Sequence, residues 1–227
     1  MSVSITWIGH ATWLFEVAGK RILLDPFFND NPATQVSADK VVCDLILISH
    51  GHYDHIADAV SIAKRTKAPV LAIYEIAQWL SGQGVENTVG MNLGGAFRNA
   101  LGQFKMTPAL HSSVLPDGTY GGSPAGFVLN IGGKRIYAAC DTALFSDMQL
   151  IGEGGLDLAI LPIGDLFTMG PDDSVQATNW LKPNTVLPAH YNTWPPIEQD
   201  ASVWAQMIRE RTAASPVVLK PGESIEI

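Results

Sequence analysis

The run Asp44-Leu-Ile-Leu-Ile-Ser49 offers no polar residue between its ends, so a strand there has no face to turn toward water. A strand apolar on both faces must be covered on both, which places it inside a layered α/β protein. Leu156 to Ile163 repeats the pattern in the second half of the 227-residue chain. In such proteins the loops leaving the carboxyl ends of strands gather along one edge, where ligands bind. The first of these runs leads directly into His50-Gly51-His52-Tyr53-Asp54-His55.

Three apolar runs open the chain: Val3 to Ile8, Thr12 to Val17 and Arg21 to Leu24, the last two separated by Ala18-Gly19-Lys20 at hairpin distance. They predict an antiparallel meander. Beyond the histidine-rich segment, apolar residues at Ile56, Val60, Ile62 and Ala63 predict a helix from about Asp54 to Arg65, ended by Ala68-Pro69 before a strand at Val70 to Ile73. A second helix is expected around Ile76 to Leu80, with further strands at Phe104 to Leu110, Phe127 to Ile131 and Arg135 to Ala139. Leu156 to Ile163 (strand), Asp172 to Leu181 (helix), Thr185 to Ala189 (strand), Ala201 to Arg211 (helix) and Val217 to Leu219 (strand) complete the reading. Each half runs from antiparallel strands into α/β units. Two sheets packed face to face with helices outside, a four-layer α/β/β/α sandwich formed by residues 1–227 as a single domain, satisfy this order, although periodicity alone also allows one doubly wound sheet.

Charge and composition narrow the function. With 14 Lys and Arg against 22 Asp and Glu the net charge is −8, which opposes binding to phosphate polyanions, so no nucleic acid partner is expected. The start, Met1 to Trp7, lacks a basic segment followed by an apolar one, and no apolar run approaches the roughly 18 residues of a membrane span. No membrane association is expected, and the location read from these features is cytoplasmic. Cys43 and Cys140 are too few for a disulfide framework and read as free thiols.

All six histidines follow apolar runs closely: His10, the His50, His52 and His55 group, His111 and His190. Asp141, after Arg135 to Cys140, holds the same kind of position. Strand ends gathered on one edge can bring these groups together although they are far apart in sequence. His50 and His52, two apart in an extended segment, point to the same side and can grip one ion, while Asp54 and His55 turn elsewhere and can serve a second. Imidazole and carboxylate suit Zn, Mn, Fe or Ni, and the lack of a cysteine pair argues against a structural thiolate site. The plain alternative is a histidine-rich surface loop that binds metal adventitiously.

The pattern His-x-His-x-Asp-His with later His111, Asp141 and His190 resembles the metallo-β-lactamase superfamily of binuclear hydrolases. More narrowly, Trp7-Ile-Gly-His10-Ala, Leu24-Asp-Pro26, Gly121-Gly-Ser-Pro-Ala-Gly126, Asp141-Thr, Leu161-Pro-Ile-Gly-Asp165, Phe167-Thr-Met-Gly-Pro171 and His190-Tyr resemble a family of small prokaryotic metal-dependent hydrolases. That group is similar to the L-ascorbate-6-phosphate lactonases and N-acyl-phosphatidylethanolamine phospholipase D. The resemblance implies the four-layer sandwich and two divalent ions, zinc first among the candidates. It assigns His50, His52 and His111 to one metal and Asp54, His55 and His190 to the other, with Asp141 bridging. The chain departs from the pattern at Cys140, where relatives usually carry glycine; a thiol there either approaches the metals or points into the core.

Two ions sharing a carboxylate hold a bridging water and lower its pKa, giving a hydroxide that attacks a carbonyl carbon or a phosphorus. Asp54 is the candidate to orient that nucleophile or take its proton, as ligand first and base second. Asp25 can accept the free N–H of a ligand imidazole, or simply turn the chain before Pro26. His10 is either a proton donor touching substrate or a packed histidine. Phe167-Thr168-Met169 and Trp194-Pro195-Pro196 can wall an apolar pocket. The function expected is hydrolysis of a small ester, lactone or phosphodiester; a nuclease or RNA-processing enzyme and a non-catalytic metal-binding module are the alternatives. The partner expected is a small-molecule substrate, and a homo-oligomer is left open.

Overall fold

The computed structural model describes residues 1–227. The meander predicted at the start is β1 (Val3–Gly9), β2 (Thr12–Val17) and β3 (Lys20–Leu24), paired antiparallel. Three strands extend it in parallel: β4 (Leu45–Leu47), β5 (Val70–Ile73) and β6 (Thr88–Met91). The connections carry α1 (Tyr53–Ile56), α2 (Ala59–Thr66) and α3 (Tyr74–Gly82).

The second half repeats this plan. An antiparallel set, β7 (Ala96–Asn99), β8 (Gly102–Pro108), β9 (Ala125–Ile131) and β10 (Lys134–Ala138), continues in parallel through β11 (Leu156–Pro162), β12 (Pro183–Ala189) and β13 (Ser215–Pro216). Its helices are α4 (Met148–Gly152), α5 (Pro171–Leu181) and α6 (Ala201–Arg211). The last strand, β14 (Ser224–Glu226), returns to the first sheet beside β1, so the two sheets have seven strands each.

Two seven-stranded mixed sheets flanked by helices make the α/β/β/α sandwich. The doubly wound alternative fails because the parallel strands divide between two sheets. One apolar core runs through both, and Trp13 and Leu24 of the first sheet share a small void with Ala138 and Ile160 of the second. The β9–β10 turn presses on β1 and β2 so closely that a Cβ at Gly132, which sits at φ +58°, would lie 2.8 Å from Val3 Cγ2. Outside the second sheet, α5 and α6 are joined by a buried hydrogen bond in which Trp204 Nε1 donates to Ser174 Oγ at 2.6 Å. No helix is long and apolar enough to cross a membrane.

Several elements differ from the expectation. The helix from Asp54 to Arg65 breaks at Ala57-Asp58 into α1 and α2, because the Asp58 carboxylate accepts hydrogen bonds from the Phe28 and Asn29 N–H groups and the Asn29 amide. Helix geometry yields there to anchoring of the loop that follows β3. Val217 to Leu219 is not a strand: the ladder ends once the Val217 N–H has donated to the Val186 carbonyl at 3.0 Å, and the chain leaves for the first sheet to form β14. β6, β7 and α4 carried no predictive signal, being four or five residues long and partly exposed.

Ile46 lies fully buried in β4, between Leu23 on β3 and Val70 on β5. Ile46→Ala is expected to cost about 2–5 kcal/mol of folding stability, read as a lowered urea midpoint with an unchanged m-value.

Candidate metal centre

One edge of the sandwich collects the strand ends. His10 follows β1, Asp25 follows β3, His50 lies just past β4, His111 past β8, Asp141 past β10 and His190 directly after β12. Four residues at these ends have left-handed backbones: His10 (φ 56°), Asp25 (φ 48°), Cys140 (φ 55°) and His190 (φ 52°). A non-glycine residue there costs on the order of 1 kcal/mol, and such positions concentrate at functional sites.

The donor atoms form two groups. In the first, His50 Nε2 and His52 Nδ1 face each other at 2.9 Å, and His111 Nε2 lies 3.2 Å from the same His52 atom. In the second, Asp54 Oδ2 lies 3.6 Å from both His55 Nε2 and His190 Nε2. Asp141 stands between them: its Oδ2 is 3.0 Å from His190 Nε2, 3.4 Å from His55 Nε2 and 3.6 Å from His111 Nε2. The seven residues expected from the sequence are thus brought to one place, where His10 joins the Asp54, His55 and His190 group and His50, His55 and Asp141 link the two groups.

Hydrogen bonding behind the imidazoles fixes which nitrogens face inward. The Ser49 hydroxyl donates to Asp25 Oδ2 at 2.6 Å, so Ser49 Oγ can accept the His50 Nδ1–H at 2.9 Å. His55 Nδ1–H donates to the same Asp25 oxygen at 2.9 Å. Both Nε2 atoms are then lone-pair donors aimed into the centre. Ser112 Oγ stands 3.2 Å from His52 Nε2, which leaves His52 Nδ1 as its inward donor. Asp25 therefore does more than turn the chain. Ser49 and Ser112 went unrecognised in the sequence because nothing in their spacing distinguishes them from loop serines.

Two atoms at the heart of the centre, His55 Nε2 and Asp141 Oδ1, are buried without a hydrogen-bond partner. A buried unpaired polar atom is costly, and a cation would satisfy both. Imidazole nitrogens and carboxylates around such atoms fit divalent ions of the borderline class.

The electrostatics agree. Burial alone would favour neutral groups, yet the His190 and His55 charges hold Asp141 well below the usual carboxylate range. Burial opposes protonation of His190, but Asp141 beside it lifts the imidazole to about 9, and Asp141 and Asp54 raise His55 in the same way. In His50 burial prevails, reinforced by the neighbouring His55, and its pKa falls well below the ordinary value. The acids demand positive charge, which only protons supply until metal arrives.

His10 is fully buried and occupied at both ring nitrogens, with Nε2 2.8 Å from Asp54 Oδ2 and Nδ1 2.7 Å from Thr193 Oγ1. Burial and the His190 charge lower its pKa to about 4. Of its two readings the packed histidine describes the structure: Trp194 meets the ring edge-on at 4.8 Å and His10 sits behind Asp54, outside the cavity lining. The Cys140 thiol lies 3.7 Å from the Ala138 carbonyl oxygen and lines the void between the sheets, so of its two readings the core-facing one describes the structure. Its left-handed backbone explains why glycine suits this position.

A cavity of ≈ 500 Å³ opens over both donor groups, lined by His52, Tyr53, Asp54, His111, Ser112, Asp141, Phe167, His190 and Trp194. Of the expected wall residues, Phe167 and Trp194 line it. Met169 is buried in the core instead, while Thr168, Pro195 and Pro196 stay outside the lining. Tyr53 and Ser112 are wall residues that the sequence did not single out.

The sequence pattern of the beta-lactamase superfamily domain matches residues 20–191, and the chain belongs to that superfamily. Within it the chain groups with the UPF0173 metal-dependent hydrolases. It is 49% identical over 225 residues to such a hydrolase of Thermus thermophilus, with 99% of both chains covered, and 46% identical over 230 residues to one of Pelotomaculum thermopropionicum, covering 99% of this chain and all of the relative. Among solved structures, Igni18, described as a novel metallo hydrolase of the archaeon Ignicoccus hospitalis, superposes with a TM-score of 0.91 at 36% identity, covering 100% of this chain and 99% of its own. The protein is a metal-dependent hydrolase.

Two outcomes follow from the centre. Asp25→Asn removes the charge that orients His50 and His55, and weakens metal affinity by about 10- to 100-fold, measured by chelator competition on protein whose circular dichroism is unchanged. Because His190, at about 9, and His55 must lose protons before binding metal, uptake at pH 7 releases protons and apparent affinity climbs from pH 6 to 9. Indicator-dye titration of the metal-free protein reads this, and pH-independent uptake would contradict it.

Proposed function

We propose that the protein is a binuclear hydrolase of a small ester, lactone or phosphodiester. The observation that carries the reading is the position of Asp141 Oδ2, within 3.6 Å of His111 Nε2 from one donor group and of His55 and His190 Nε2 from the other. His50, His52 and His111 would hold one ion and Asp54, His55 and His190 the second, with Asp141 shared. Zinc suits this donor set best; Mn, Fe and Ni are the other candidates. When bound, such a pair supplies an activated water as nucleophile and a Lewis acid for the carbonyl or phosphoryl oxygen.

The chain's own residues supply the rest. Asp54 faces both the second donor group and the cavity, where it can orient the attacking water. Its low pKa, set by the His55 and His10 contacts against burial, makes it a weak base, so its role is ligand and orienter. Asp25 and Ser49 fix the imidazole tautomers, and Tyr53, Phe167 and Trp194 shield the reacting bond from bulk water.

The test is elemental analysis joined to activity. The loaded protein is expected to hold two ions per chain and to hydrolyse chromogenic ester, lactone or phosphodiester probes until a chelator is added. Asp141→Asn is expected to lower the occupancy of both sites; full retention of one ion would remove Asp141 from the bridging role.

A further inference from the structure

We infer that the natural substrate is an uncharged carboxylic ester or lactone whose acyl or alkyl portion is apolar, and that Phe167 and Trp194 select it. The inference rests on the hydrolase reading and deepens it. Three aromatic rings stand around the donor atoms: Tyr53 and Phe167 are 51% and 54% exposed, and Trp194 is partly buried. Half-exposed rings in a concave surface leave apolar area that a ligand can cover, and such area is the main source of affinity in small-molecule sites.

The same wall contains no lysine or arginine. Its only charged groups apart from the histidines are Asp54 and Asp141, both directed at the donor clusters. A phosphate or carboxylate borne away from the bond being cut would therefore meet acids and aromatic faces with no counter-charge. The anionic phosphoryl group of a phosphodiester finds no side-chain counter-charge here even at the bond being cut, whereas a neutral carboxylic ester or lactone needs none.

Trp194 is held in place for this task. Its ring packs 4.8 Å from His10 and 6.1 Å from Phe27, both buried, so the indole is a fixed wall. Phe167 lies on the loop between β11 and α5, across the cavity lining from Tyr53 on α1. The rings come from separate segments, α1 and two loops, and converge only around the centre, which marks a built pocket more than incidental surface apolarity.

The experiment compares metal-loaded wild type and Phe167→Ala on four probes with a common leaving group: p-nitrophenyl acetate, p-nitrophenyl hexanoate, bis(p-nitrophenyl) phosphate and p-nitrophenyl phosphate. Metal content is measured on every sample. Expected is chelator-sensitive turnover with kcat/KM highest for the hexanoate. In Phe167→Ala, KM for the hexanoate rises about 5- to 20-fold, as loss of tens of Å² of apolar cover predicts, with a smaller rise for the acetate. Trp194→Phe keeps an aromatic wall and is expected to retain the hexanoate preference. Chelator-sensitive turnover that favours either phosphate overturns the inference and leaves the hydrolase reading standing. Equal losses on acetate and hexanoate at full metal content also overturn it. Absence of chelator-sensitive turnover on all four probes, with both metals bound, overturns the hydrolase reading together with the inference.

Discussion

A single buried carboxylate ties the two sheet-end loops of the first half to both donor groups. Asp25, at the end of β3, accepts from the Ser49 backbone and hydroxyl and from His55 Nδ1–H, and through Ser49 it also sets His50. Burial pushes this carboxyl up in pKa while its three bonded partners pull it down, and burial prevails. A charge in that position is costly unless every lone pair is used, so the neighbours cannot be rearranged one at a time. The orientation of the inward nitrogens thus rests on bonds made behind them, in the core, where solvent does not compete.

The sandwich supplies the frame for that network. Each half of the chain presents antiparallel strands and then parallel ones, and the two sheets are cemented by residues such as Trp13, Leu24, Ala138 and Ile160. The ligand edge lies where the strands run out, so residues separated by 180 positions, His10 and His190, are joined by a backbone hydrogen bond in which the His190 N–H donates to the His10 carbonyl at 3.1 Å. Folding and site assembly are consequently one event for the polypeptide, which brings the candidate donors into register.

Much of this was legible in the sequence for a simple reason: long apolar runs and their breaks report burial, and burial locates strand ends. The leucine and isoleucine run before His50 and the run before Asp141 are strands, and both residues lie just past their ends on the shared edge. What escaped detection is short, polar or conditional on tertiary structure. Asp58 breaks a helix through bonds to Phe28 and Asn29 that no local pattern announces. β14 pairs with the far end of the chain. His10 was visible as a histidine after a strand, but its concealment behind Asp54 and Trp194 depends on three distant loops meeting.

The left-handed residues at four strand ends bear on how such a chain can change over time. A residue with φ near +50° ends a strand abruptly and cannot be shifted by one position without moving the side chain it presents to the opposite face. Insertions and deletions are therefore tolerable only beyond these hinges, in the loops that carry Phe167 and Trp194, while Tyr53, between His52 and Asp54, is fixed along with the donors. The catalytic edge is divided into a part that drift cannot move and a part that it can reshape freely, and new specificities would arise by remodelling the second without disturbing the first.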